Sequence, residues 1–432
     1  MEQRRYKNIF AVQTEANRFI GFHARNLAVA EITPEAWRDL DGTQPAFDVD
    51  ARREIETWNN EIDPATSDEV TVDNIQTLSL NVAQICNLKC TYCAAGGDGT
   101  YGSPVTKIDT SKAEAQIQFF LGRAKINQTF RIEFLGGEPL LYPQIIDSLC
   151  RFAKLSTAGR PIELEFVITT NGTLITSTVA DILGRYHFGV TISLDGPPAL
   201  NDQFRPSKSK TTSSTEMTLL GLRELAKFRA QLIYLNVNTV FGVHNTAVIE
   251  TYDFLQSLDM NWDVINFNFA NNQADEERAT QNYVNEMREL GARLFKTHGL
   301  EGVSSIAQFR RPLARLTSQT RTHSYCSAGK SLLLADTKAD LYTCNWFMND
   351  PSEKIGHLTS IDETKLAKYQ PSLIELNNCE SCWARHLCGG GCMAVHKGHS
   401  GHRHGKNPNF CYRTRELSAT AIQYFADSFS EN

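Results

Sequence analysis

Residues 77–102 read TLSLNVAQICNLKCTYCAAGGDGTYG. The apolar run TLSLNVA predicts a buried β-strand, and the chain leaves it through Cys86, Cys90 and Cys93 in a C-x3-C-x2-C spacing. The glycine run that follows either lets backbone pass close around a bound group or is a plain flexible loop. Three thiolates in one short loop can hold three irons of a [4Fe–4S] cube, leaving the fourth iron open to chemistry. The alternative is a structural zinc, which takes four protein ligands, commonly from paired C-x2-C units. This loop offers three cysteines and no neighbouring histidine.

The chain of 432 residues is 41% hydrophobic and 21% charged, with a net charge of −6. Such a composition buries a core and gives no broad positive field, so neither nucleic acid nor an anionic membrane is an expected partner. No apolar run approaches the roughly 20 residues of a membrane span. The first residues, MEQRRYKNIF, lack the apolar core of a secretion signal, so a cytoplasmic location is expected. In a reducing cytosol, clustered thiols point to metal or redox chemistry rather than disulfides. Ten of the eleven cysteines fall in groups: 86, 90 and 93; 326 and 344; 379, 382, 388, 392 and 411. Cys150 stands alone on an apolar helical face with Ile146 and Ala153 and reads as a core residue.

Three regions are expected: a small α+β module over 1–75, an alternating α/β region over 76–320, and a cysteine-dense region over 321–432. In the first, RFIGFHARN and LAVAEI read as two strands, followed by a helix with Thr33 as N-cap and Pro34 at its first position. A second helix follows Asp50, with Ile55, Trp58 and Ile62 on one face, and DPATSDEV reads as a linker. In the second region, strands TLSLNVA, FRIEFLG, ELEFVITT, GVTISLD, LIYLNVNTVF and DVINFNF alternate with helices near 111–124, 142–155, 176–185, 215–229 and 246–257. That alternation predicts a parallel sheet, open or closed into a barrel, with ligands at the C-terminal strand ends. Residues 279–320 read as helical and charged.

C-x3-C-x2-C at a strand end, with Tyr92 before the third cysteine, resembles the signature of the radical S-adenosylmethionine (SAM) enzymes. The resemblance implies a partial (β/α)6 barrel in which SAM chelates the open iron and is cleaved to a 5′-deoxyadenosyl radical. FLGGEPLL resembles the family's GGEP turn, which implies that Gly136, Gly137 and Glu138 meet the methionyl amine. VITTNG supplies Asn171, TISLDG supplies Ser193 and Asp195, NDQFR supplies Arg205 and NVNTVF supplies Asn238 as further SAM-binding candidates. Asn171-Gly172 and Asp195-Gly196 also read as ordinary turn formers.

From Cys379 the spacing C-x2-C-x5-C-x3-C, then Cys411, with Cys326 and Cys344 upstream, resembles the SPASM extension of these enzymes. The resemblance implies two auxiliary [4Fe–4S] clusters, three clusters in all: Cys379, Cys382, Cys388 and Cys411 on the second, Cys326, Cys344 and Cys392 on the first. The first auxiliary site is thus one thiolate short. Ala339 stands where the family usually has glycine, for which a different turn is expected. His396, His399, His402 and His404 read as a solvated loop rather than a metal site. The whole is similar to maturases of ribosomally made peptides, especially the thioether-forming group. That similarity implies a precursor-peptide substrate, an electron donor such as flavodoxin or ferredoxin, and leader recognition by a winged-helix-like N-terminal module or a separate protein. A structural cap on the barrel is the other reading of that module. Rival functions are a protein-oxidising enzyme of the sulfatase-maturase type, a small-molecule radical SAM dehydrogenase and a non-catalytic iron–sulfur carrier.

Overall fold

The computed structural model describes residues 2–14, 17–40, 48–60, 74–93, 107–209 and 212–429. The expected linker, Ile62 and the glycine run after Cys93 lie outside them.

Strand and helix alternate through the middle of the chain as the apolar pattern requires. The elements are Thr77–Ala83 (β5), Thr110–Arg123 (α3), Thr129–Gly136 (β6), Pro143–Ser156 (α4), Glu163–Thr170 (β7), Ser177–Arg185 (α5) and Gly189–Ser193 (β8). Pro198–Phe204 (α6), Ser214–Ala226 (α7), Tyr234–Phe241 (β9), Val248–Ser257 (α8) and Val264–Phe269 (β10) complete the series. β5 to β10 pair in sequential order, every neighbour parallel. A singly wound order keeps the crossover helices on one face, and right-handed crossovers then curl the sheet toward a barrel. On β9, Leu235, Val237, Thr239 and Phe241 are buried while the alternate residues, including Asn236 and Asn238, are half-buried. Side-chain caps start several helices, as where Asp109 Oδ1 accepts from the Lys112 amide at 3.1 Å. Cys150 is buried on α4 beside Leu149 and Ala153, in the core as expected.

Two helices, Glu276–Ser304 (α9) and Ala307–Ser318 (α10), lead into the cysteine-dense region. Leu332–Ala335 (β11) then pairs parallel with β5, and Asp340–Tyr342 (β12), Gly356–His357 (β13) and Ser360–Ile361 (β14) extend the same sheet. The barrel sheet therefore runs on into the C-terminal region, and one hydrophobic core spans both. Helices Glu363–Ala367 (α11), Leu373–Leu376 (α12), Arg385–Cys388 (α13), Met393–Ser400 (α14) and Pro408–Asp427 (α15) follow.

The N-terminal module has four strands rather than two: Gln3–Tyr6 (β1), Ile9–Gln13 (β2), Phe19–His23 (β3) and Val29–Glu31 (β4), an antiparallel meander in that order. The first two were missed because QRRY is short and polar and IFAVQ, with four residues buried, does not alternate. Pro34–Asp39 (α1) has the expected cap, Thr33 Oγ1 accepting from the Ala36 amide at 3.1 Å. Val49–Asn59 (α2) starts earlier than expected, with Asp48 as its N-cap. Among the described residues the module is an antiparallel meander followed by two helices. One sheet face packs on α1 and α2, and the other, through Phe10, Val12, Ile20 and Phe22, packs on Trp383, Leu387, Ala419 and Ile422. Phe10 and Trp383 stack with ring centroids 3.6 Å apart.

This contact predicts that Phe10→Ala destabilises the protein by about 3–5 kcal/mol. Urea unfolding of the variant, followed together with iron content, checks this; loss of stability is expected to come with loss of iron from the C-terminal cysteines.

Candidate active site

The cysteine loop is held by its neighbours before any cofactor is considered. Leaving β5, it pairs with the segment after α6: the Lys89 amide donates to Pro206 O at 2.8 Å and the Thr91 amide to Phe204 O at 2.9 Å. From the other side the turn after β6 presses against its entry, the Gly137 amide donating to Ala83 O at 2.6 Å and the Glu138 amide to Ile85 O at 2.9 Å. A Cβ on Gly136 would stand 2.3 Å from Ala83 O, and one on Gly137 2.2 Å from Ile85 O. The glycines were read as admitting a ligand; here they admit the backbone of the cysteine loop.

Glu138 is buried, and its carboxylate is fully engaged by the protein. It accepts from Thr170 Oγ1 at 2.7 Å and from the amides of Asn171 and Leu140 at 2.8 and 2.9 Å. It ties β6 to β7 instead of reaching the cavity. Asn171 also turns toward the loop, its Nδ2 lying 3.6 Å from Cys86 Sγ and donating to Asn87 Oδ1 at 2.9 Å. Asp195 and Arg205, read as SAM candidates, form a buried network with Tyr92 behind the loop. The Tyr92 hydroxyl donates to Asp195 Oδ2, Arg205 Nη1 donates to the Tyr92 oxygen at 2.7 Å, and Asp195 Oδ1 accepts from the Val240 amide at 3.1 Å. Burial drives the Tyr92 phenol well above its ordinary pKa, so it stays protonated to make that bond. Ser193 and Asn238 are register partners on β8 and β9.

The Cys86 thiol is pushed up to about 12 by burial first and the Glu138 carboxylate second, with Cys90 adding to the rise; Cys90 is raised by burial first, with Cys93 adding to it. The Arg205 guanidinium opposes that shift at Cys90. Bound iron favours the thiolate in the same way as other metal cations. Among the described residues no three His, Cys, Asp or Glu side chains converge on one point that would ligate a single ion.

Among the C-terminal cysteines, Cys344 lies within electrostatic reach of Cys392 and Cys326, and Cys388 of Cys411, Cys382 and Cys379; burial is the first cause that raises Cys344, Cys388 and Cys392. Ala339 takes a left-handed conformation of the kind that favours glycine, at φ 72°, at a cost of roughly 1–2 kcal/mol for an L-residue. The histidine segment is not simply a solvated loop. Residues through Ser400 form α14, and His396 is buried, with Nε2 3.2 Å from Gly390 O and Nδ1 accepting from the Asn407 amide at 3.2 Å.

One cavity of about 830 Å³ joins the two cysteine regions. Tyr92, Cys93, Gly136 and Asn238 line it on the barrel side and Cys388, Cys392 and Lys397 on the other. Of the SAM candidates, Gly136 and Asn238 line it. A three-thiol loop at the C-terminal mouth of a singly wound parallel sheet, beside a cavity, suits a cluster with an open iron. Residues 80–255 match the Radical SAM superfamily.

This stretch is the Radical SAM domain of an enzyme. Its cofactors are a [4Fe–4S] cluster and SAM. A stretch of 181 residues is 29% identical to an uncharacterized protein of Methanocaldococcus jannaschii, covering 42% of this chain and 58% of that one. The serine-type anaerobic sulfatase-maturating enzyme of Klebsiella aerogenes is 24% identical over 330 residues, 72% of this chain and 78% of that one. Among solved structures, anSMEcpe with bound AdoMet and a Cp18Cys peptide superposes with a TM-score of 0.68 at 17% identity, over 82% of this chain and 99% of that one. SuiB of Streptococcus suis bound to S-adenosylmethionine gives 0.51 at 14% identity, over 94% of this chain and 99% of that one. These likenesses carry the α/β fold. No helix among the described residues is long and apolar enough to cross a membrane.

Because a Cβ at Gly137 has no room, Gly137→Ala displaces the loop entry. Purified anaerobically, the variant is expected to lose about four of some twelve irons, those of the catalytic loop, while keeping the C-terminal ones; iron assay with absorption spectroscopy checks the count.

Proposed function

We propose that this enzyme matures a peptide or protein substrate in the cavity between the catalytic loop and the C-terminal cysteines. The observation that carries this reading is the shared cavity, with Cys93 on one wall and Cys392 on the other. When bound, the loop cluster and SAM supply a 5′-deoxyadenosyl radical able to take a hydrogen atom from substrate. The protein's own part is to hold the thiols, to present backbone at Gly136 and the Asn238 amide to the nucleoside side, and to exclude water from a wall built of Phe267, Phe269 and Phe347.

In this reading Cys379, Cys382, Cys388 and Cys411 hold the second auxiliary cluster and Cys326, Cys344 and Cys392 the first. Cys150, buried on α4, is no fourth ligand. A substrate cysteine is then the natural thiolate for the open position, which favours a thioether-forming maturase. Maturation of a folded protein such as a sulfatase, the activity that the name of the Klebsiella relative gives for that enzyme, is supported equally by the comparisons. The two differ in the mass change of the product.

The test is anaerobic reconstitution with SAM and a chemical reductant. The wild type is expected to release 5′-deoxyadenosine, and the triple variant Cys86→Ala, Cys90→Ala, Cys93→Ala to release none while retaining the other two clusters. Release by the triple variant would remove the catalytic assignment.

The N-terminal module is proposed to receive the leader of such a substrate. Of the stretch expected to offer an edge, RFIGFHARNLAVAEI, β3 lies between β2 and β4, while β4 ends the sheet. The longer edge strand is β1, at the other side, with four residues against three. Because the Gln13 amide donates to Glu2 O, ladder alternation turns the backbone groups of Gln3 and Arg5 outward. Arg5→Pro is expected to weaken precursor binding about tenfold or more, the worth of a lost edge hydrogen bond and its neighbours, whereas Arg5→Ala is not. Equal binding by both variants in a titration would place the leader elsewhere.

A further inference from the structure

Four cations line the cavity: Arg311, Arg315, Lys397 and Arg413. Two are neutralised inside the protein. Lys397 Nζ pairs with Asp350 and Glu353 at 2.6 Å each, and Arg413 Nη1 with Glu276 at 3.1 Å. Arg311 and Arg315 have no carboxylate partner among the described residues, and Asp350 is the one acidic residue in the lining, already bound by Lys397. They sit four residues apart on α10, on the face that also presents Ala307, Gln308 and Pro312 to the cavity.

Two like charges at this spacing repel and gain nothing for the helix. Arg315 is half-buried, and burial first, then Arg311, lowers its pKa below the ordinary arginine value; a guanidinium remains charged nonetheless. Arg311 is exposed and Arg315 half-buried, and although Cys388 opposes the shift at Arg315, no carboxylate among the described residues is paired with either, so an opposite charge brought from outside is favoured. Arg311 is exposed but lines the cavity, with its guanidinium carbon 6.0 Å from the centroid of the Tyr325 ring. The Gln308 side chain between them and the barrel is spoken for, donating to Asn266 Oδ1 at 2.9 Å and Phe267 O at 2.7 Å. What is left to bind is two planar forks facing the space where substrate must lie, and such forks match carboxylates.

We infer that Arg311 and Arg315 are specificity-determining residues that receive a carboxylate of the substrate, so that the peptide taken up carries an aspartate, a glutamate or its free C-terminus close to the residue that is modified. This rests on the peptide reading above. The cation pair faces the same cavity as Cys93, so the anionic group is an anchor within the reaction site and not a distant docking element.

The test captures peptides on immobilised, cluster-loaded enzyme with SAM, from a pool of random twelve-residue synthetic peptides. One pool has amidated C-termini and a second has free ones, and retained sequences are read by mass spectrometry. Enrichment of Asp and Glu in the amidated pool on the order of tenfold, the worth of one charged hydrogen bond, supports a side-chain carboxylate. Preferential retention of the free-terminus pool without internal enrichment supports the terminal one. Either preference is expected to vanish in the double variant Arg311→Gln, Arg315→Gln. The single variant Arg311→Glu is expected to enrich Lys and Arg instead, a gain that misfolding does not produce. Retention without any anionic preference overturns the inference while leaving the peptide reading intact, and failure to retain any peptide overturns both. Cluster potentials shifted by Arg→Gln with unchanged peptide preference would make the arginines counter-charges of the cluster thiolates and would overturn it too.

Discussion

The catalytic loop depends on the contact of two backbones with nothing between them. Where β6 ends, Gly136 and Gly137 lie against Ala83 and Ile85 so closely that no side chain fits, and two amide hydrogen bonds fix the distance. Each of the next restraints starts from there. Glu138 carries the hold across to β7 through Thr170 and Asn171, Asn171 reaches back to Cys86, and Tyr92 with Asp195 and Arg205 anchors the loop's far end to β8 and β9. Sequential parallel strands put these ends side by side, which is how residues far apart in the chain come to brace one loop.

The same sheet delivers the second half of the site. β11 adds to the free side of β5, so the segment from Cys326 to Cys344 lies next to the strand that carries the catalytic cysteines. α10 and α15 close the cavity between them, and the N-terminal meander is clamped on the back of the Cys379–Cys388 segment through Trp383. That placement couples the module to the auxiliary cysteines and means that its removal would expose Leu387 and Ile422, so single substitutions report on it more cleanly than truncation.

The parallel strands were legible because each is a run of apolar residues bounded by helix caps and turn signals, and the cysteine groups were legible because spacing carries their chemistry. Roles of single polar residues were not. Glu138 follows two glycines at a strand end, yet whether its carboxylate faces a ligand or Thr170 depends on how β7 ends beside it. Asp195 and Arg205 pair through a tyrosine over a hundred residues away. His396 looked like part of a solvated tract, and only the fold shows Gly390 and Asn407 on either side of it. Ala339 holds a left-handed backbone that favours glycine, which spacing alone does not reveal. Arg311 and Arg315 left a signal that went unread, two cations on an otherwise apolar helical face in RRPLAR.

The central claim is that one cavity lies between a catalytic cluster and two auxiliary ones, held by ten cysteines in sets of three, three and four. Crystals grown anaerobically and measured at the iron absorption edge test it most directly. The account predicts three strong anomalous peaks: one beside Cys86, Cys90 and Cys93, one beside Cys326, Cys344 and Cys392, and one beside Cys379, Cys382, Cys388 and Cys411. Peaks at the zinc edge only, or an iron-rich crystal with no peak at the Cys86 loop, would contradict it.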